Sequence, residues 1–159
     1  MKKPPSLYEW IGGAERLEAL FTRFYDQDHV FADPLLKDVF AHMGAEHPKH
    51  VALFVGEIFG GPKAYTEHHG GHAGMIRHHM GRHLSEAQRQ RWLQLLLQAA
   101  DEIGVPDDPE FRSAFVAYLE WGTRLAVINS QQDPATTPDT TAPMPKWDWG
   151  VPGGPYQPE

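Results

Sequence analysis

Gly70-Gly71-His72-Ala73-Gly74-Met75-Ile76-Arg77-His78-His79-Met80-Gly81-Arg82-His83 is the stretch on which the reading of this chain turns. It is dense in imidazole, and nine of the ten histidines lie between residues 42 and 83. Imidazole is the side chain best suited to bind a transition metal or haem iron near neutral pH. The glycines loosen the front of the run, and residues 63–73 read as a polar loop. A helix of two turns is expected over 74–81. On it Met75, His79 and His83 share one face at four-residue steps, while His78 points about 100° away. An axial iron ligand needs an imidazole on a short element facing an apolar slot, with an apolar residue one turn earlier. His79 with Met75 meets that description. The competing reading is a partly exposed basic helix with no ligand.

Outward from this run the pattern is helical on both sides. Downstream, Ser85-Glu86-Ala87-Gln88 is a capping-box start, and Trp92, Leu95, Leu96, Ala99 and Ile103 form one apolar stripe. Gly104 and Pro106 end that helix. Asp107-Asp108-Pro109-Glu110 starts another, whose stripe runs from Phe111 through Phe115, Tyr118, Gly122 and Ala126 to about residue 129. Upstream, Ser6 caps a brief helix that Gly12-Gly13 closes. From Ala14 the residues Leu17, Leu20, Phe21, Phe24 and Tyr25 keep a helical period until Asp33-Pro34. Leu35, Leu36, Val39 and Phe40 suggest a single further turn, and 44–46 a loop. A helix from His47-Pro48 to residue 59 carries Val51, Phe54, Val55 and Ile58 inward, and Gly60-Gly61-Pro62 stops it. With no internal repeat and no convincing strand, the expected class is all-α, with four substantial helices and several short ones.

Length and composition narrow the function. The 159 residues suit one domain with a sizeable core, here placed at 1–130. Residues 1–5 read as a short disordered lead. The tail 131–159 is rich in Pro, Thr and Gly and reads as largely disordered or surface-docked, with 131–143 as a linker. Trp147 and Trp149 are unusual in such a tail and point to docking on the domain or on a partner. The chain has no cysteine, which excludes disulfides, thiolate metal sites and covalent haem attachment through a Cys-x-x-Cys-His motif. A net charge of −7 argues against a nucleic-acid partner. No apolar run approaches the roughly 20 residues that span a bilayer. A soluble cytoplasmic protein with no membrane partner is expected.

Individual candidates carry a bland reading beside the functional one. His42, His50, His68 and His69 read as solvated loop histidines. His47 either caps its helix in solvent or faces a pocket and hydrogen-bonds a ligand. Tyr25, Phe40, Phe54 and Trp92 lie on apolar stripes and suit a plain core. Tyr25 and Trp92 also each carry one polar hydrogen that must find a partner when buried.

Taken together, Ile11-Gly12-Gly13, Arg23-Phe24-Tyr25, Phe40, Phe59-Gly60-Gly61-Pro62, Tyr65-Thr66-Glu67, Gly71-His72, and His79 followed thirteen residues later by Trp92 resemble the truncated haemoglobins of group II. The likeness covers roughly residues 6–130. It implies a two-over-two helical sandwich around a b-type haem (iron protoporphyrin IX). By position His79 would be the proximal ligand, and Tyr25, Trp92 and His47 would face the distal ligand. Phe40, Val51, Phe54, Tyr65 and Met75 would wall the pocket, with Arg77, Lys63 or Tyr65 meeting the haem propionates.

The resemblance implies binding of dioxygen and other diatomic ligands, with oxidation of nitric oxide or peroxide turnover and an unidentified reductase as partner. It implies a monomer or homodimer. Dioxygen storage or sensing is the alternative within the haem reading; outside it stand a di-iron carboxylate enzyme and a histidine-rich metal-binding or sensor module. Two departures stand out. Met80-Gly81-Arg82 replaces the family's apolar residue, Pro and Phe, and His78 replaces a frequent Arg. Counting forward from Tyr65 without a gap selects His78 as the ligand; counting back from Trp92 selects His79, with His83 the third choice.

Overall fold

Ser6 and Asp108 show how locally the helix starts are determined. Each side-chain oxygen accepts the backbone N–H three residues on, satisfying a donor that the first turn leaves without a partner. Ser85 does the same for Gln88, whose side chain returns to the Ser85 backbone in a complete capping box.

The computed structural model describes residues 4–135 and 143–150. Among these, seven α-helices form: α1 Leu7–Ile11, α2 Gly13–Phe24, α3 His47–Ile58, α4 Ala64–His69, α5 Gly71–His79, α6 Glu86–Glu102 and α7 Pro109–Ser130. A short 3-10 turn spans Val30–Ala32. The fold is all-α, as the periodicities indicate. Of the expected lead and linker, residues 1–3 and 136–142 lie outside the described residues, as do 151–159.

Two helix pairs make the body. α2 packs along α3, α6 packs along α7, and α2 also meets α6. The fully buried side chains at their meeting are Leu17, Leu20, Phe21, Phe24, Phe59, Leu96, Phe111 and Phe115. The shorter α4 and α5 follow α3 and bring α5 against α7. Among the described residues no helix is long and apolar enough to cross a membrane.

Three local expectations are corrected. Residues 63–73 are not a loop: α4 occupies Ala64–His69, and α5 begins at Gly71 rather than 74. Gly70 separates the two helices in a left-handed conformation (φ 85°) that suits glycine. The Glu57 carboxylate, on α3, accepts the Thr66 N–H at 2.8 Å and the Thr66 hydroxyl, so a tertiary partner fixes α4. α2 ends at Phe24, well before Asp33, and Tyr25 is its C-cap. Residues 34–42 form successive turns, and the Phe40 N–H bonds Leu36 O at 3.3 Å, the single helical turn expected there.

The tryptophan segment 143–150 lies on the helical body. Trp147 donates its backbone N–H to Ile58 O at 2.9 Å and its indole N–H to Ala114 O at 3.1 Å.

Candidate functional site

Between α3, α5, α6 and α7 lies a cavity of about 710 Å³, inside the range of roughly 300–1,000 Å³ of ligand and cofactor pockets. Tyr25 and Phe40 close one end. Val51 and Phe54 face it from α3, Met75 and His79 from α5, and Trp92 from α6. Tyr65 is buried beneath, edge-on to Phe54 with ring centroids 5.0 Å apart. Of the residues assigned to the pocket by the sequence, all but Arg77 and Lys63 line this space; of the alternative ligands His78 lines it too and His83 does not. Arg77 is exposed, because two residues along a helix turn a side chain about 200° from Met75. Arg82 lines the cavity instead.

His79 is the last residue of α5, half-buried, whereas His78 beside it is exposed. His79 Nδ1 lies 2.8 Å from Met75 O. A carbonyl only accepts, so Nδ1 carries the proton and Nε2 keeps its lone pair. Burial lowers the His79 pKa, the bond to Met75 opposing it, so the imidazole is kept neutral near pH 7. A histidine whose second nitrogen is fixed by a backbone carbonyl is the usual form of a metal-ligating imidazole. Beyond it, Gly81 has φ 79°, and a Cβ there would overlap Pro134. This is why the turn takes glycine where the resembled family has proline.

On the other side, His47 opens α3. Its ring stands edge-on to Tyr25, centroids 4.8 Å apart, and 6.0 Å from Phe40. His47 Nε2 is buried with no protein partner. Desolvation, with His78, His50 and Arg82 adding positive charge nearby, pushes its pKa down to about 4, so the ring is neutral. Burial raises the Tyr25 phenol, and a hydrogen bond with Trp92 partly offsets this. Trp92 is held edge-on to Phe24 at 5.0 Å.

The sequence reading missed several members. His50 and His69 are not free in solvent: their rings lie 4.2 Å apart and both line the cavity. His72 Nδ1 is buried without a partner on the same wall, a position for which only the flanking glycines offered a signal. α7, read as a plain core stripe, contributes Tyr118, Trp121 and Gly122 to the wall. Among the described residues no three His, Asp or Glu side chains converge to hold a bare metal ion. The donor set therefore does not suit a di-iron carboxylate centre. It does suit an apolar group with one axial ligand: a largely apolar cavity lined by one imidazole with a free Nε2 and by the polar hydrogens of Tyr25 and Trp92.

Comparison with known proteins agrees with this geometry. A family model described as bacterial-like globin matches residues 6–121. Over 126 residues the chain is 30% identical to the group 2 truncated hemoglobin YjbI of Bacillus subtilis (strain 168), covering 79% of this chain and 91% of that one. The solved group II truncated hemoglobin of Bacillus anthracis superposes with a TM-score of 0.67 at 29% identity, covering 86% of this chain and 98% of that one. The hemoglobin of Chloroflexus aurantiacus gives a TM-score of 0.66 at 32% identity, covering 77% and 97%.

Proposed function

This chain belongs to the bacterial-like globins, as a truncated haemoglobin of group II, and from that premise we propose that it holds a b-type haem on His79 and carries out redox chemistry on diatomic ligands. Membership implies haem-based dioxygen binding; the residue roles and the reaction are our reading. The observation that carries the reading is the His79 imidazole, with Nδ1 committed to Met75 O at 2.8 Å on a residue lining the cavity. That leaves Nε2 as the donor to iron. The absence of cysteine supports a non-covalent haem. When bound, the haem supplies an iron that takes a diatomic ligand and exchanges electrons with it.

The chain's own residues set what happens to the ligand. Tyr25, Trp92 and His47 supply an O–H and two ring N–H groups to the side facing His79. A donor aimed at a partly negative ligand contributes roughly 1.5–3 kcal/mol, so several together slow release strongly. The high pKa of Tyr25 and the low pKa of His47 keep both uncharged at neutral pH, as donors rather than rival ions. Slow release suits turnover better than delivery. Oxidation of nitric oxide by dioxygen to nitrate consumes one electron, which a reductase partner must provide. Peroxide turnover is the second reaction the site suits. Val51 and Phe54 limit water at the ligand.

The test is the optical spectrum of the purified protein in ferric, ferrous and dioxygen-exposed states. A strong Soret band is expected; a colourless protein that takes up no added haem would overturn the reading.

A further inference from the structure

We propose that the segment 143–150 is a strap forming one wall of the haem cavity, and that its undocking from α7 opens an entry path for small uncharged ligands. The proposal rests on the haem reading above and goes beyond it. The family match covers residues 6–121, and the strap lies outside it.

The segment carries no helix or strand, and from Pro145 its exposure alternates. Pro145, Trp147 and Trp149 are half-buried, while Lys146, Asp148 and Gly150 are exposed, the period of a chain with one face against a surface. Pro145 itself lines the cavity. The Trp147 ring lies 5.7 Å from Tyr118 and 5.7 Å from Trp121, and both of those line the same cavity from α7. Where the strap lies, α7 presents Tyr118 and Trp121 to the cavity, and the Trp147 ring covers both. Trp121 is 41% exposed even with the strap in place. With the strap away, Pro145 leaves the cavity wall and Trp121 loses its cover, which opens this side to solvent.

The strap is anchored at separate points. The Trp147 N–H caps the last carbonyl of α3, Ile58 O, at 2.9 Å, a group the helix cannot satisfy internally. The Trp147 indole donates to Ala114 O at 3.1 Å, and the Trp149 indole to Pro5 O at 2.8 Å. Trp149 stands edge-on to Trp10 at 5.5 Å and lies 6.3 Å from Phe111. These are single bonds and one-sided packing. Such an element opens at lower free energy than helices buried on two sides. Trp149 is not on the cavity wall, so it holds the strap without shaping the pocket.

The apolar lining selects the traffic. A neutral diatomic gas crosses an apolar opening without desolvation cost; an anion such as nitrate does not.

The experiment compares full-length wild type, Trp149→Ala and Trp149→Phe. Two quantities are read: hydrogen exchange at the Trp147 amide in the haem-free protein, and carbon monoxide association after flash photolysis in the haem protein. Trp149→Ala should speed both, by about tenfold as anchor loss raises the open fraction. Trp149→Phe, which keeps a ring and loses the bond to Pro5, should speed both by about threefold, and it carries the comparison if the alanine variant does not fold. Faster exchange with unchanged association would overturn the gate. Unchanged exchange would overturn Trp149 as the anchor. A wild type without a Soret band would instead overturn the haem reading, so the two failures are distinguishable.

Discussion

Replacing Trp92 with phenylalanine isolates one distal donor. The aromatic ring at this position packs edge-on to Phe24 at 5.0 Å and 77°, and a phenyl ring can keep that contact. What is lost is the indole N–H. A bond from such a donor to a partly negative ligand is worth roughly 1.5–3 kcal/mol, so dioxygen release should accelerate about 10- to 150-fold. Carbon monoxide takes on much less negative charge, and its release should change by less than about threefold on the same argument. Stopped-flow displacement measures both. Trp92 is half-buried, so the variant should melt within a few degrees of wild type. The reasoning is refuted if dioxygen release is unchanged. It is also refuted if both gases accelerate equally, because that pattern reports altered shape rather than a missing hydrogen bond.

His79→Ala should lose the Soret band of haem-reconstituted protein, while His78→Ala, at an exposed position, should keep it; the reverse result would move the ligand by one residue. His29 offers a stability test. It is 2% exposed, with Nδ1 2.7 Å from Asp26 and Nε2 3.1 Å from Glu102. Burial opposes its charge, but hydrogen bonds to Asp26 and Glu102 outweigh burial and raise its pKa. A raised histidine pKa stabilises fully below the unfolded value near 6.5 and loses that contribution as pH rises through the folded value. Glu102, with Gln98, His29 and Arg23 bonded to it, is held at about 2 and so stays ionised across this range. The melting-temperature gap between wild type and His29→Leu should therefore be widest near pH 5.5 and narrow toward pH 9; equal gaps at both would contradict the charged clamp.

Much of the fold was legible because its determinants are local. The caps at Ser6, Ser85 and Asp108 and the stops at Gly12 and Gly104 lie within a few residues of the helix ends they set. α4 was illegible because its first turn is held from Glu57, on another helix, and its own residues, rich in histidine, are weak helix formers. The candidate site divides in the same way. Tyr25 and Trp92 were legible as inward positions on apolar stripes and His47 as one of two readings, whereas Arg82, which lies beyond the end of α5, was not legible. His50 and His69 are nineteen residues apart, and only the packing of α4 beside α3 brings them together.

The sequence favours His79 through Met75 one turn earlier, and the structure gives that neighbour a different role. Spacing pointed to Met75 as an apolar side chain one turn earlier, and that side chain does line the cavity. Yet what orients the imidazole is the Met75 carbonyl, which any residue at 75 would supply. The geometry of His79 is therefore set less by the identity of residue 75 than by where α5 ends. That end is fixed from outside the helix. Met80 turns extended, Gly81 lies under Pro134, and the His83 N–H bonds Ser130 O at 3.0 Å. Leu84 N–H bonds the Ser130 hydroxyl at 3.0 Å. The end of α7 thus acts as a positioning element for His79, the histidine proposed to hold the haem, at the border between the globin body and the tail. Met75→Leu should leave the haem spectrum intact, whereas Gly81→Val, strained at φ 79° and in collision with Pro134, should shift α5 and weaken haem retention. A Gly81→Val protein that retains haem like wild type would show that His79 is positioned from within α5 alone.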